Sequence, residues 1–343
     1  MMVLVTGGAA SRKSEYAERL VSGEIRLNKE ERTDPLLYVA AMQPFGAEAE
    51  ERIRKHRVQR AHRGFQTVER YTDLAGLSVP EGSRVLLEDL GNLTANEMFS
   101  PEGAGHKTAS GVPFPDPAAA AEAVVRGVLH LKEQCSLLVV VTNEIFSSGS
   151  GWPEETQQYL RALGEVNRRL AEDAELVTEV VCGVPSVLKP AGRESGTMFL
   201  PEPGQNPGKG MPEEGKREMI FITGPLCSGK HRMAERLLEH LELKEGRNGS
   251  VLAEEVQSMA KSLDGQEALE ALAEKLAGYH VVTASETGCG VIPADRKERE
   301  TREMAGRLNC LLAERAAVVI RMCCGIPLVL KGTLDLPGEP AEG

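Results

Sequence analysis

The chain has 343 residues, a net charge of −11 and 4% aromatic residues. This length allows two domains with separate cores, and the acidic balance argues against a nucleic-acid partner. No apolar run approaches the roughly 20 residues needed to span a bilayer. Seven cysteines without a Cys-x-x-Cys pair predict buried thiols in a cytoplasmic protein.

The first apolar run, MMVLVTG, leads into a sequence that nearly matches the phosphate-binding pattern Gly-x-x-x-x-Gly-Lys-Ser/Thr. Gly7 begins this loop, Lys13 would contact the outer phosphates and Ser14 would ligate Mg²⁺. Arg12 stands at the second glycine, where the backbone often adopts a conformation that a Cβ resists. Arg12 therefore either weakens nucleotide binding or swings outward and adds a cation. A glycine-rich turn without a ligand is the alternative.

Short apolar runs alternate with longer amphipathic segments along the first half of the chain. The runs MMVLVTG, PLLYVAA, SRVLLED, SLLVVVTNE and AELVTEVVCG predict buried strands. The segments SEYAERLVSG, AEAEERIRKHRVQR, AAAAEAVVRGVLHLKEQ and ETQQYLRALGEVNRRLAED predict helices. Apolar strands separated by helices indicate an α/β fold with a mainly parallel sheet and helices on both of its faces.

Segment 47–69 gathers basic residues around one histidine. A solvated amphipathic helix, with acids leading and bases trailing, explains this composition without any function. Alternatively, the cations attract a polyphosphate and keep His56 neutral and therefore nucleophilic. The cations beside this histidine are Arg52, Arg54, Lys55, Arg57, Arg60 and Arg63.

Acidic residues follow two of the predicted strands. Glu88 and Asp89 come after RVLL, and Glu144 comes after LVVVTN. An acid at the carboxyl end of a parallel strand, beside a phosphate loop, commonly holds Mg²⁺. With Ser14, these three acids form the predicted metal site. Each acid taken alone also fits a solvated strand end or a helix N-cap.

The chain repeats its own sequence in shortened form. A shift of 217 aligns 6–20 with 223–237, with eight of fifteen residues identical, and a shift of 142 aligns 164–189 with 306–331, with thirteen of twenty-six identical. Between them, RVLLEDLGN resembles SVLAEEVQS at a shift of 166. The fall from 217 to 166 means that the second copy lacks 51 residues between the first two anchors.

The repeat predicts the organisation of the chain. A full-length P-loop domain covers 1–189, a flexible linker rich in Pro, Gly and charge covers 190–217, a degenerate copy covers 218–332 and a tail covers 333–343. The second copy restores the loop glycine as Gly229 but has His231 at the Ser/Thr position, and it lacks the His56 segment. We expect it to be a structural or regulatory partner of the first copy.

Six motifs occur in the order found in the bifunctional adenosylcobinamide kinase/adenosylcobinamide-phosphate guanylyltransferases. They are MMVLVTGGAASRKSEYAE, LLYVAAMQ, RIRKHRVQR with the following FQTVE, VLLEDLGNLTANEMF, VVVTNE and GEVNRRLAEDAELVTEVVCGVPSVLK. The resemblance covers nearly all of 1–190, and a shortened version covers much of 219–332. It implies a RecA-like P-loop fold. It also implies an enzyme of cobalamin biosynthesis that phosphorylates adenosylcobinamide with ATP or GTP and then transfers GMP from GTP, through a histidine, to give adenosylcobinamide-GDP.

The resemblance implies the site residues as well. His56 matches the guanylylated histidine of the family, with Mg²⁺ as cofactor and a homo-oligomer as the assembly. The matching nucleotide-binding positions are Gly7, Gly8, Ala9, Ala10, Ser11, Arg12, Lys13, Ser14, Ala40, Ala41, Met42, Arg57, Val58, Gln59, Arg60, Glu69 and Glu88. The implied ligands are adenosylcobinamide, its phosphate, ATP and GTP.

Two alternatives stay open beside the bifunctional enzyme. In one, Arg12 has disabled the loop, and the chain is a nucleotide-sensing or scaffold protein. In the other, the chain retains only the guanylyl transfer, which the preserved His56 segment favours.

Overall fold

The computed structural model describes residues 1–25, 27, 34–44, 54, 63–106, 115–147, 151–191, 219–241, 251–263 and 265–334. The chain divides into two compact units, and the second unit includes the short segments Gly8–Arg12 and Val180–Ser186. Most of the predicted linker and tail lie outside the described residues, as does the predicted helix over 47–60 apart from Arg54. None of the described helices has the length and apolar character needed to cross a membrane.

The first unit is built on a seven-stranded sheet with the order β3-β2-β4-β5-β1-β6-β7. The pairings from β3 through to β6 are all parallel. The prediction of a mainly parallel α/β fold is therefore confirmed. The strands are β1 Met2–Thr6, β2 Leu36–Ala40, β3 Gln66–Glu69, β4 Ser83–Glu88, β5 Cys135–Val141, β6 Leu176–Val181 and β7 Val184–Lys189.

Four described helices flank this sheet. They are α1 Lys13–Ser22, α2 Leu90–Phe99, α3 Pro117–Gln134 and α4 Glu154–Asp173. The core joins strand residues such as Leu87 and Val140 to helix residues such as Leu131 and Leu163, all with no exposed surface. Asp116 caps α3 by accepting from the backbone N–H groups at its start, ahead of a proline at the first helical position. The sequence places the start of this helix within one residue.

The second unit repeats the same topology with fewer strands. Its sheet order is β12-β11-β8-β10-β9, which matches β7-β6-β1-β5-β4 of the first unit position by position. Its described residues contain no counterpart of β2 or β3, in agreement with the 51-residue deletion. The elements are β8 Ile220–Thr223, α5 Lys230–His240, β9 Leu252–Ala253, a 3-10 helix Val256–Ser262, α6 Gly265–Leu276, β10 Val281–Thr283, α7 Arg296–Arg315, β11 Val318–Cys323 and β12 Ile326–Lys331.

The repeated ending Cys-Gly-x-Pro-x-x-Leu-Lys begins with the same tight turn in both copies. Cys182 and Gly183 have φ angles of 50° and 83°, and Cys324 and Gly325 have φ angles of 50° and 84°. Two successive left-handed residues are typical of a type I′ turn, which joins adjacent strands with the twist of the sheet. The Cys-Gly pair is therefore repeated because the hairpin requires it.

The last lysine of this repeated sequence, Lys189 in the first copy and Lys331 in the second, has the same structural role in both copies. Lys189 Nζ donates to the carbonyl oxygens of Ala171, at 2.9 Å, and Glu172, at 2.7 Å, in the last turn of α4. Lys331 makes the equivalent two bonds, both 2.9 Å, to the last turn of α7. A cation at this place satisfies carbonyls that lack helical partners and interacts favourably with the helix dipole.

All seven cysteines are described, and all are free thiols. The expectation that they are buried holds for Cys182 and Cys310 and is wrong for Cys227, Cys323 and Cys324, which are exposed. The sequence pattern misleads here because Cys323 ends its strand at the hairpin turn rather than in the sheet interior.

Glu97 of α2 is a buried carboxylate, 2% exposed, that satisfies two backbone N–H groups. One oxygen accepts from Asp73 at 2.6 Å, and the other accepts from Ala104 at 2.8 Å. Glu97→Gln replaces one acceptor by an amide that faces a donor, so we expect the free energy of unfolding to fall by about 1–3 kcal/mol. Urea unfolding measures this change. Glu133→Gln, at an exposed side chain of α3, is the control, and an equal effect there would contradict the assignment.

Candidate functional site

The first loop, Gly7–Ser14, joins β1 to α1. Ala10 and Arg12 have φ angles of 56° and 64°, within the left-handed region that favours glycine. Arg12 therefore adopts the backbone conformation that the phosphate-loop pattern assigns to its second glycine. The loop keeps its shape although the glycine is missing.

The side chain of Arg12 forms an ion pair inside the second unit. Its Nη1 donates to Oε2 of Glu314 at 3.1 Å, and both side chains are more than one-third exposed. The neighbouring carbonyl of Ser11 accepts from the N–H of Gly183 at 2.9 Å, which fixes the loop to the hairpin turn. Solvent screening makes an exposed pair of this kind worth about 0–1 kcal/mol.

The strain at Arg12 can be measured by comparing Arg12→Gly with Arg12→Ala. Both variants lose the ion pair, but only glycine relieves the left-handed backbone, which costs an L-residue about 1–2 kcal/mol. The greater freedom of glycine in the unfolded chain offsets about 0.4–1 kcal/mol of that gain. We expect Arg12→Gly to be more stable than Arg12→Ala by about 0.5–1 kcal/mol in urea unfolding. An Arg12→Gly variant less stable than Arg12→Ala by about 0.4–1 kcal/mol would show that the backbone is unstrained.

Lys13 and Ser14 begin α1 beside the end of β4. Lys13 is 9% exposed, and its charge acts on Asp89. The hydroxyl of Ser14 donates to Oε1 of Glu88, while the hydroxyl of Tyr38 donates to Oε2 of the same carboxylate at 3.1 Å. The structure thus brings together a loop hydroxyl and a strand-end carboxylate, as the sequence predicts.

The sheet register aligns three of the predicted nucleotide-binding residues. Ala40 pairs with Glu69 on one side and with Glu88 on the other, so all three end neighbouring parallel strands in one row. Residues in one row of a sheet share a face. Ala41 follows with no exposed surface and donates its N–H to the carbonyl of Glu88 at 3.0 Å. Met42 is half-buried beyond it.

The other two predicted acids are engaged elsewhere. Asp89 is the N-cap of α2: its Oδ1 accepts from the N–H of Asn92 at 2.7 Å and its Oδ2 from the side chain of Asn92 at 3.0 Å. Burial raises the pKa of Asp89, against the lowering effect of the Asn92 backbone bond. Glu144 accepts from Phe146 N and Ser147 Oγ at 3.0 and 3.1 Å. The N-cap alternative therefore describes the geometry of Asp89.

Of the histidine segment, 47–69, the structure describes Arg54 and residues 63–69. His56, Arg57, Val58, Gln59 and Arg60 lie outside the described residues. Arg54 is exposed. Arg63 of the same cationic set pairs with Glu18 and Glu24 near α1.

Two further residues support this site, and the sequence alone does not identify them. Tyr38 orients Glu88, and its only signal is one hydroxyl within an apolar strand. Asn96 of α2 donates from Nδ2 to the carbonyls of Ala41, at 2.8 Å, and Tyr71, at 3.0 Å, and so ties together the chain that follows β2 and β3. Since Asn96 lies far from both strands in sequence, no local pattern could reveal this contact.

The second loop, Gly224–His231, repeats the backbone of the first. Cys227 and Gly229 have φ angles of 59° and 93°, at the positions of Ala10 and Arg12. The N–H of Gly325 donates to the carbonyl of Ser228 at 3.1 Å, which matches the bond between Gly183 and Ser11. Both copies therefore have the same loop conformation, whether the key position is arginine or glycine.

The polar groups around the second loop differ from those of the first. His231, at the position of Ser14, donates from Nδ1 to Glu254 at 2.6 Å, and Nε2 lies 3.3 Å from Glu235. The hydrogen bond with Glu254, its charge and that of Glu235 raise the pKa of His231. Lys230, 4% exposed, donates to the carbonyl of Pro225 at 2.9 Å.

Lys230 Nζ also lies 3.5 Å from Oε1 of Glu255. Burial would raise the pKa of Glu255, but hydrogen bonds from Gln257 and Ser285 and the charge of Lys230 bring it below its usual value. Glu255 is the counterpart of Asp89 in the second copy. Its lowered pKa favours the charged carboxylate beside the loop.

The parallel sheet and the loop that ends in Lys13 and Ser14 define a P-loop-type nucleotide-binding fold. The family model described as "Cobinamide kinase / cobinamide phosphate guanyltransferase" matches residues 3–188 and 248–330. The chain belongs to this family, and the second matched segment falls in its shortened copy. The predicted family is therefore confirmed.

Two curated relatives agree with this assignment. The "Bifunctional adenosylcobalamin biosynthesis protein CobU" of Escherichia coli (strain K12) is 31% identical over 191 residues, which cover 54% of this chain and 97% of the relative. The protein of the same name from Salmonella typhimurium is 31% identical over 195 residues, with the same two coverages.

Proposed function

We propose that the chain phosphorylates the aminopropanol hydroxyl of adenosylcobinamide with ATP or GTP and then attaches GMP from GTP to the new phosphate. The observation that carries this proposal is the family match over both copies together with the loop of the first copy. The backbone N–H groups at the start of α1 and the ammonium of Lys13 would bind the phosphates of the nucleotide.

The residues beside Ser14 fit a magnesium ion. The hydroxyl of Ser14 donates a hydrogen bond to a carboxylate oxygen of Glu88, and oxygen atoms are the ligands that Mg²⁺ prefers. Among the described residues no three His, Cys, Asp or Glu side chains cluster as a metal site. Ser14 and Glu88 would therefore hold the ion together with water and phosphate oxygens. Bound there, Mg²⁺ would neutralise charge on the phosphates.

The guanylyl transfer would proceed in two displacements at one phosphorus atom. An imidazole nitrogen of His56 attacks the α-phosphorus of GTP, the bond to the β-phosphate oxygen breaks, and pyrophosphate leaves. A phosphate oxygen of adenosylcobinamide phosphate then attacks the same phosphorus, the P–N bond breaks, and the imidazole is released. The product is adenosylcobinamide-GDP.

The experiment is intact-mass analysis of the purified chain after incubation with GTP and Mg²⁺. We expect an acid-labile GMP adduct on the native protein and on His130→Ala, a matched variant of an exposed histidine on α3, but no adduct on His56→Ala. An adduct without phosphorylation of adenosylcobinamide would show that the chain retains only the guanylyltransferase activity. A folded native protein with neither reaction would favour the scaffold alternative.

The organisation of the protein is also a proposal. We infer domains over 1–189 and 218–332, with 190–217 as linker and 333–343 as tail, and the alignment of the two sheets supports the repeat. The seven free thiols fit a reducing, cytoplasmic environment. The homo-oligomer that the family resemblance implies can be tested by light scattering.

A further inference from the structure

The second loop contains a buried hydroxyl without a partner. Ser228 is 6% exposed, and its Oγ makes no hydrogen bond within the described part of the chain. A Cβ placed on Gly224 would lie 2.9 Å from this oxygen, so the hydroxyl faces the first glycine across the interior of the loop. A buried polar group normally has a partner. The loop interior therefore offers an unused donor to a ligand.

The second loop also lacks the metal-binding pair of the first. Where Ser14 meets Glu88, the second copy has His231 bonded to Glu254. The imidazole is bonded to the carboxylate that a cation would use, and when it is protonated its positive charge offsets that of Glu254.

A second cation has replaced an acid on the neighbouring strand. Thr6 pairs with Glu179 in the first sheet, and Thr223 pairs with Arg321 at the same register of the second sheet. Arg321 forms two 3.0 Å hydrogen bonds with Glu286.

With Lys230 beside Glu255, each of the three acids around the second loop has a cationic partner within this chain. Relative to the first copy, serine has become histidine and glutamate has become arginine. Because Arg12 is Gly229 in the second copy, the formal charge over these three positions rises by one with a neutral imidazole and by two with a charged one. With a charged imidazole, the rise equals the charge of a divalent cation.

We propose that the second loop, Gly224–His231, is a separate phosphate-binding site that holds a polyphosphate chain without a divalent metal ion. The N–H groups at the start of the eleven-residue α5, the ammonium of Lys230 and the hydroxyl of Ser228 bind the phosphate oxygens. His231 and Arg321 neutralise the surrounding acids that would otherwise repel the ligand. The ligand class is a nucleoside polyphosphate or an inorganic polyphosphate, which share this chemistry.

The test starts from the full-length Lys13→Ala chain, in which the first loop has lost its lysine. Isothermal titration calorimetry with tripolyphosphate, GTP and ATP, each in EDTA, measures binding to the second loop. We expect one equivalent to bind, and Lys13→Ala/Lys230→Ala to bind at least roughly tenfold more weakly because a charged hydrogen bond is lost. Binding of tripolyphosphate identifies the phosphate chain as sufficient, whereas binding of GTP or ATP alone identifies a nucleotide as the ligand.

A second variant keeps the test informative if removal of Lys230 disturbs folding. Lys13→Ala/His231→Ser restores the residue that the first copy has at this place. We expect its binding in EDTA to weaken roughly tenfold, through loss of the neutralising cation, and to recover when Mg²⁺ is added. The proposal is overturned if the Lys13→Ala chain binds none of the three probes in EDTA. It is equally overturned if binding requires Mg²⁺ before His231 is changed.

Discussion

Lys13→Ala is expected to lower kcat/KM for phosphorylation of adenosylcobinamide by roughly 10²–10³-fold, the effect of removing one donor to a developing charge in an enclosed site. Lys13 is buried at the first position of α1, and the family's reaction transfers a phosphoryl group whose charge this lysine would stabilise. The same variant should lose the GMP adduct if GTP for the second step binds at this loop as well. Steady-state kinetics and intact-mass analysis measure the two effects.

The control for Lys13→Ala is a lysine with a structural contact of its own. Lys132 on α3 donates to the carbonyl of Asp173 at 2.8 Å and pairs with Glu175. We expect Lys132→Ala to keep its kcat/KM within about twofold, because its partner Glu175 bonds the backbone at Met2, at the opposite end of β1 from the loop. If Lys13→Ala retained more than one-tenth of the native kcat/KM, the first loop could not be the phosphoryl-transfer site.

Arg321→Met is expected to produce the largest loss of stability, about 3–5 kcal/mol of unfolding free energy. The carboxylate of Glu286 is 8% exposed, and Arg321 is its paired cation, with two hydrogen bonds. Without the guanidinium, a buried charge would remain without its cation. Urea unfolding followed by far-UV circular dichroism measures the loss.

Two comparisons distinguish this effect from a general sensitivity to substitution. Glu286→Leu/Arg321→Met removes both charges together, so we expect it to recover most of the lost stability. Glu314→Gln breaks the exposed pair with Arg12 and should cost only about 0–1 kcal/mol. A similar cost for Arg321→Met and Glu314→Gln would show that burial does not set the strength of the Glu286 pair.

The sequence predicted the interior of the first sheet and the family, but not the edges of the sheet. β1, β2, β4, β5 and β6 were found because each is an apolar run buried on both faces. β3 was missed because its four residues, QTVE, are polar and largely exposed. β7 was missed although its sequence is repeated, since a Pro and a Lys within six residues do not resemble a buried strand.

The sequence anticipates side-chain contacts that follow from chain order and does not reveal those that depend on side-chain direction. Ser14 and Glu88 meet because a loop after one parallel strand and the end of another lie at the same edge of the sheet. Asp89 is adjacent in sequence to Glu88, yet its carboxylate turns to Asn92 and caps a helix. The pairing of Glu286 with Arg321 depends on the strand register, which the sequence does not reveal.

The order of strands in the sheet decides which parts of a duplicated domain can be discarded. β3 and β2 form the outer margin of the first sheet, so a copy without them keeps every pairing among the remaining strands and gains a new edge at the counterpart of β4. In sequence, these strands bracket the segment that contains His56, so a copy without this margin also lacks the proposed guanylyl carrier. The new margin, β9, has only two residues before the 3-10 helix begins, and so short an edge offers few unpaired backbone groups to another chain. The absence of the proposed guanylyl carrier and the short sheet edge thus follow from the same 51-residue difference between the two copies.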